Sequence, residues 1–141
     1  MKRPSEEEAE RWFIQAKDEF RDADTLRKME RYYLALFHFQ QAAEKALKAF
    51  LYLHIKSIKI LYTHSIAELL DSVIKFDKDF ETVQKSKKLD QYYISTRYPS
   101  GLPGGIPSKF YDDPEEALDA SLLAEKVIKL VESKINKISS F

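Results

Sequence analysis

The chain has 141 residues, 44% hydrophobic and 33% charged, and its 23 basic and 23 acidic side chains give a formal net charge of zero. This length favours one domain with a real core, which we place at residues 1–141. The absence of cysteine excludes disulfides, thiolate catalysis and metal ligation by cysteine. The high charged fraction, rich in lysine and glutamate, is common in proteins of thermophiles. The acidic start lacks the apolar run of a secretory signal, so we expect a cytoplasmic protein.

Apolar residues recur at helical spacing in several segments of the chain. The first helix is predicted over about residues 5–28, because Ser5 and Glu8 have the spacing of a capping box. The second is predicted over about residues 31–56. Its wide apolar face and its small alanines indicate a central helix in a bundle.

Two shorter helices are predicted next. The third runs over about residues 64–76 and has a capping-box spacing that begins at Ser65. The fourth runs over about residues 79–93, with Asp77 or Asp79 at its start, and its apolar pattern is weaker. No strand pattern is convincing anywhere in the chain.

The last helix is predicted over about residues 114–137, with Asp113 as its cap and Pro114 at its first position. A long Gly/Pro loop over residues 94–113 precedes it. The other connections are short and favour antiparallel neighbours. We therefore predict an all-α fold, an antiparallel up-and-down helical bundle of four to five helices.

The stretch RYPSGLPGGIPSKFY, residues 97–111, contains all three glycines and three of the five prolines. Long links without structure are uncommon in compact domains and are often functional. Its glycines match no standard phosphate-loop spacing, and PSG is no nucleophile elbow. Arg97 and Lys109 at its flanks could still hold a phosphate. The alternative is that glycine and proline only shape a long crossing.

Aromatic and basic residues are mixed around this loop. Tyrosines that alternate with basic side chains can stack bases and hold phosphates, although they can equally pack the loop against the bundle. Residues 31–111 carry 12 basic and 7 acidic side chains, which suits an anionic ligand, a complementary partner or self-association. The candidate ligand-binding residues are Arg97, Tyr98, Lys109, Tyr93, Lys45 and Lys48, with His64 as a further candidate.

The three histidines do not form a metal motif. No pair among His38, His54 and His64 has the spacing of two ligands on one helix face. We predict neither a metal nor a cofactor.

The order and spacing of several segments resemble the HEPN family (higher eukaryotes and prokaryotes nucleotide-binding). FHFQQAAEKALKAFL, residues 37–51, is similar to the family's second helix, and HSIAELL, residues 64–70, to its third. YYISTRYPSGLPGG, residues 92–105, is similar to the segment after the fourth helix. The resemblance implies an antiparallel helical bundle, usually a homodimer, often encoded beside a minimal nucleotidyltransferase as a toxin–antitoxin-like pair.

Other branches of that family are metal-independent ribonucleases whose active site has an arginine and then, after four to six residues, a histidine. Arg97 has no histidine after it, and Arg31 with His38 has the spacing but lies too early in the bundle. The ribonuclease motif is therefore not found at the expected place. This absence does not favour the interpretation that the protein is an enzyme. His64 could approach Arg97 in space, and the two remain weak catalytic candidates.

Three functions follow from these residues. In the first, Arg97 holds a nucleotide or RNA phosphate, or the chain is the partner of a minimal nucleotidyltransferase. The second is a metal-independent ribonuclease toxin. The third is a purely structural interaction module, in which apolar side chains of the loop such as Ile106 and Phe110 contact a partner. Arg97 could also simply tie the loop to the bundle through an internal ion pair.

Overall fold

The computed structural model describes residues 4–55 and 59–139, with side chains up to residue 136. Over these residues the regular structure is helical and contains no strand, which confirms the predicted all-α bundle. None of these helices is long and apolar enough to cross a membrane. The α-helices are α1 (Pro4–Lys28), α2 (Tyr32–Tyr52), α3 (Ile66–Phe76), α4 (Tyr92–Ser95), α5 (Pro107–Phe110) and α6 (Pro114–Ser139). The 3₁₀ helices are Lys59–Tyr62, Lys78–Gln91 and Pro99–Gly101.

Helix α2 lies at the centre of the bundle, as its sequence predicts. It packs against α1, α3 and α6. Five of its alanines are fully buried, which lets neighbouring backbones approach closely. Its large buried side chains are Leu36, Phe39, Leu47, Phe50 and Leu51.

The first two helices begin and end differently from the prediction. Helix α1 already begins at Pro4, so Ser5 lies inside it and the predicted capping box is wrong. Glu8 instead accepts a hydrogen bond from Trp12 Nε1 at 3.1 Å. Helix α2 ends at Tyr52, and its predicted end at residue 56 lies outside the described residues.

Three predicted caps are confirmed. Ser65 Oγ accepts a hydrogen bond from the amide of Glu68 at 3.2 Å. Asp77, rather than Asp79, caps the next helix, since its Oδ1 accepts from the Asp79 amide at 2.9 Å. Asp113 Oδ1 accepts from the amide two residues further on, also at 2.9 Å, and α6 follows it.

The predicted fourth helix is a 3₁₀ helix over most of its length. Residues Lys78–Gln91 form it, Val83 has non-helical backbone angles within it, and only the short α4 follows. Its buried residues recur at every third position, which is the period of a 3₁₀ helix and not of an α-helix. These residues are Phe80, Val83, Ser86 and Leu89.

The Gly/Pro loop is folded rather than structureless. It contains the 3₁₀ turn Pro99–Gly101 and the short helix α5. Gly101 packs closely, because a Cβ there would lie 2.6 Å from Ile94 Cγ2. Gly104 has a φ of +79°, a conformation that favours glycine. The glycines therefore allow a compact connection between α4 and α6.

Candidate functional site

Arg97 lies among three aromatic rings just after α4. Its guanidinium carbon is 4.6 Å from the ring centroids of both Phe37 and Tyr93 and 5.0 Å from that of Tyr98. Its Nε donates a hydrogen bond to the carbonyl oxygen of Tyr93, one helical turn earlier, at 2.8 Å. We name these four residues the Arg97 cage. Cation–π contacts and the Nε hydrogen bond hold the guanidinium in one position.

The charge of Arg97 is not neutralised within the part of the chain that the structure describes. No carboxylate there forms an ion pair with it, and the terminal amino groups have no hydrogen-bond partner among those residues. The internal ion pair considered above is therefore not seen. Because the rings cover the faces of the guanidinium, its edge remains free to donate two parallel hydrogen bonds to an anion.

His64 is brought to the same place although it is distant in sequence. Its ring stacks on that of Tyr93, with centroids 5.0 Å apart and an angle of 15° between the planes. Arg97 and His64 thus contact one shared ring. The His64 side chain is 53% exposed, so it is open to solvent beside the ring that it shares with Arg97.

Asp90 occupies the start of helix α3 beside His64. Its carboxylate accepts hydrogen bonds from the amides of Ile66 at 2.7 Å and Ala67 at 3.0 Å, and from Ser65 Oγ at 3.0 Å. This helix terminus is therefore not available to an external anion. A cavity of about 270 Å³ lies next to it, lined by Thr63, His64, Ser65, Asp90 and Tyr93.

The predicted lysines do not join the Arg97 cage. Lys109 is exposed on α5, and no contact links it to the cage among the described residues. Lys45 pairs with Glu19, and the buried Lys48 donates to Glu44 at 3.0 Å. Two of the three lysines are thus already neutralised by carboxylates.

Arg31 and His38 each contact a different residue. His38 Nδ1 lies 2.9 Å from Glu19 Oε2, and Arg31 lies over the ring of Tyr33. Burial raises the pKa of Glu19, but hydrogen bonds from His38 and Lys45 outweigh burial and hold this pKa below its usual value. Glu19 therefore stays ionised and neutralises its neighbours.

Two of the four tyrosines near the loop serve its packing. The Tyr92 hydroxyl donates to Glu116 at 2.8 Å, and the Tyr111 hydroxyl lies 2.6 Å from Ser95 Oγ. Tyr98, in contrast, is 49% exposed. Only Tyr93 and Tyr98 therefore belong to the candidate site.

Sequence reasoning missed two residues of this site. Phe37 completes the Arg97 cage from helix α2, and Glu44 reaches His64 from the same helix. The contact between Tyr93 and Arg97 could be predicted from their spacing of four residues, since residues i and i+4 adjoin on a helix. The contacts of Phe37 and Glu44 cross between helices, and no local pattern reports them.

The chain is a small helical bundle whose candidate site lies just after α4. The family model for the HEPN domain matches residues 9–134. The chain therefore belongs to the HEPN family, as the resemblance of its segments indicated.

Two solved structures are similar to this chain. The crystal structure of TT1696 from Thermus thermophilus has a TM-score of 0.78 and 37% sequence identity, and the match covers 89% of this chain and 97% of that one. The structure of ST0689, an archaeal HEPN homologue, has a TM-score of 0.68 and 26% identity, with coverage of 96% and 99%. No curated protein matches the chain.

Proposed function

We propose that this HEPN protein binds the phosphate of a nucleotide or of RNA at the Arg97 cage. The observation that carries the proposal is an exposed guanidinium, fixed by three rings, with no carboxylate partner among the described residues. Such a guanidinium is preorganised for bidentate contact with phosphate oxygens.

The neighbours of Arg97 support the same ligand. The half-exposed ring of Tyr98 offers a face on which a base can stack. His64 lies across the ring of Tyr93 and adds a second polar group. Lys109 would contribute positive charge from the folded loop without direct contact to the cage.

Calorimetric titration of the wild-type protein with ATP, GTP and a short single-stranded RNA tests this proposal. Saturable binding of at least one ligand is expected, and it weakens as salt rises because phosphate contacts release counterions. Absence of heat from all three ligands at millimolar concentration would contradict the proposal.

A metal-independent ribonuclease is the second candidate. The observation that favours it is that His64 and Arg97 both contact the ring of Tyr93. In this reaction His64 would accept the proton of a ribose 2′-hydroxyl, whose oxygen attacks the adjacent phosphorus. The bond from phosphorus to the 5′-oxygen then breaks, and that oxygen takes up a proton from water, leaving a 2′,3′-cyclic phosphate. Arg97 would stabilise the charge that develops on the phosphoryl oxygens.

Incubating RNA with the protein in EDTA and separating the products on a gel tests this second candidate. Cleavage is expected for the wild type, and its loss is expected for His64→Ala, because removing a general acid or base costs about 10²–10⁴ in rate. RNA that stays intact with concentrated wild-type protein would rule out this activity.

A homodimer or a complex with a minimal nucleotidyltransferase would use the apolar part of the loop. Ile94, Ile106 and Phe110 are exposed on and around the loop, and exposed apolar side chains often mark contact surfaces. Light scattering of the wild type and of Phe110→Ser measures the homodimer directly. A smaller mass is expected for the variant, and an equal mass would argue against this surface.

A further inference from the structure

Helix α2 carries a buried polar row through the otherwise apolar core. Gln40, Glu44 and Lys48 follow one another at intervals of four residues, so they share one face of the helix. Their exposed fractions are 0%, 2% and 3%. A buried ion pair seldom stabilises a fold more than apolar side chains of similar size would. Packing alone therefore does not account for this row.

Two members of the row converge on His64. Gln40 Nε2 donates a hydrogen bond to the carbonyl oxygen of His64 at 2.9 Å. Glu44 Oε1 lies 3.4 Å from His64 Nδ1, while the other oxygen of Glu44 accepts from Lys48 Nζ at 3.0 Å. The ring face rests on Tyr93. The His64 carbonyl oxygen thus accepts a hydrogen bond, one ring nitrogen faces a carboxylate oxygen, and one ring face is stacked.

We propose that Glu44 is a positioning residue that holds neutral His64 with its proton on Nδ1. A carboxylate oxygen 3.4 Å away repels a nitrogen lone pair and attracts an N–H group, so the nitrogen that faces it carries the hydrogen. Nε2 then keeps its lone pair for the ligand or for a ribose hydroxyl. Lys48 orients the Glu44 carboxylate and balances its charge in the core. The use of the Nε2 lone pair in binding or catalysis rests on the function proposed above. The tautomer of His64 can be tested independently of that function.

The ring nitrogen chemical shifts of ¹⁵N-labelled protein report this tautomer directly. In alkaline buffer, in which histidine side chains are neutral, His64 is expected to show a protonated Nδ1 and an unprotonated Nε2. A His64 that shows the opposite tautomer, which neutral histidine prefers in water, would overturn the proposal. His64→Asn assigns the signals by removing one set.

The double variant Glu44→Leu/Lys48→Met tests whether the Glu44 carboxylate sets the tautomer of His64. It removes both buried charges together, which avoids leaving one of them unpaired. His64 is expected to move to the Nε2–H tautomer, and His38, which faces Glu19 instead, serves as the unchanged internal control. An unchanged His64 would contradict the role of Glu44.

The wild-type spectrum decides the proposal even where the double variant does not fold. Failure of nucleotide or RNA binding would count against the proposed function without altering this spectrum. The two proposals therefore fail on different measurements.

Discussion

Replacing Asp90 by alanine is expected to lower the free energy of unfolding by about 2–4 kcal/mol. The Asp90 carboxylate accepts three hydrogen bonds at the start of α3, from two backbone amides and the hydroxyl of Ser65. Alanine leaves the amides of Ile66 and Ala67 without this acceptor and removes a negative charge from a helix N-terminus. Urea denaturation followed by circular dichroism measures the change.

Asp71→Ala provides the matched control for this variant. The side chain of Asp71 is 70% exposed and its ion pair among the described residues is with Lys87 at 3.3 Å, so its loss is expected to cost less than about 1 kcal/mol. Asp90→Asn should fall between the two, since it keeps an acceptor oxygen and loses the charge. Equal midpoints for Asp90→Ala and Asp71→Ala would contradict the capping role of Asp90.

Replacing Arg97 by alanine is expected to weaken nucleotide or RNA binding about 10- to 100-fold, because a hydrogen bond to a charged group contributes roughly 1.5–3 kcal/mol. The side chain is exposed, and its only hydrogen bond among the described residues is the one from Nε to Tyr93. The fold should therefore tolerate the change. The calorimetric titration described above measures the loss.

Two further variants separate the geometry of Arg97 from its charge. Arg21→Ala removes an equivalent charge from the exposed face of α1, where the Arg21 guanidinium lies 4.0 Å from Asp18 Oδ1, and binding is expected to stay unchanged. Arg97→Lys keeps the charge but loses the planar fork and the stacking on three rings. It is expected to bind nearly as weakly as Arg97→Ala. Equal losses for Arg97→Ala and Arg21→Ala would indicate a general charge effect.

The α-helices with strong apolar periodicity could be predicted from sequence. Helix α6 begins at Pro114, directly after its cap Asp113, as expected, because both residues act within the first turn of the helix. The helix predicted over about residues 79–93 is a 3₁₀ helix over Lys78–Gln91, and the spacing of three between its buried residues is the pattern that distinguishes the two. The sequence predicts Ser65 as the cap of α3 but not the hydrogen bonds to Asp90, because Asp90 belongs to a segment distant in sequence.

The candidate site could be predicted only in part, because some of its residues come from segments that are distant in sequence. Arg97, Tyr93 and Tyr98 lie close together in sequence, and their clustering was visible there. Phe37 and His64 reach the site only through the packing of α2 and the segment before α3. Lys48 was predicted as a ligand-binding residue and is buried against Glu44. Contacts between separate helices therefore limit what one sequence shows.

The salt dependence of RNA binding tests most directly whether Arg97 holds a phosphate. Each phosphate contact adds about one unit to the slope of the logarithm of affinity against the logarithm of salt concentration. The slope for Arg97→Ala is expected to be smaller than that of the wild type by about one unit, while Arg21→Ala keeps the wild-type slope. Identical slopes for the wild type and Arg97→Ala would contradict a phosphate contact at Arg97.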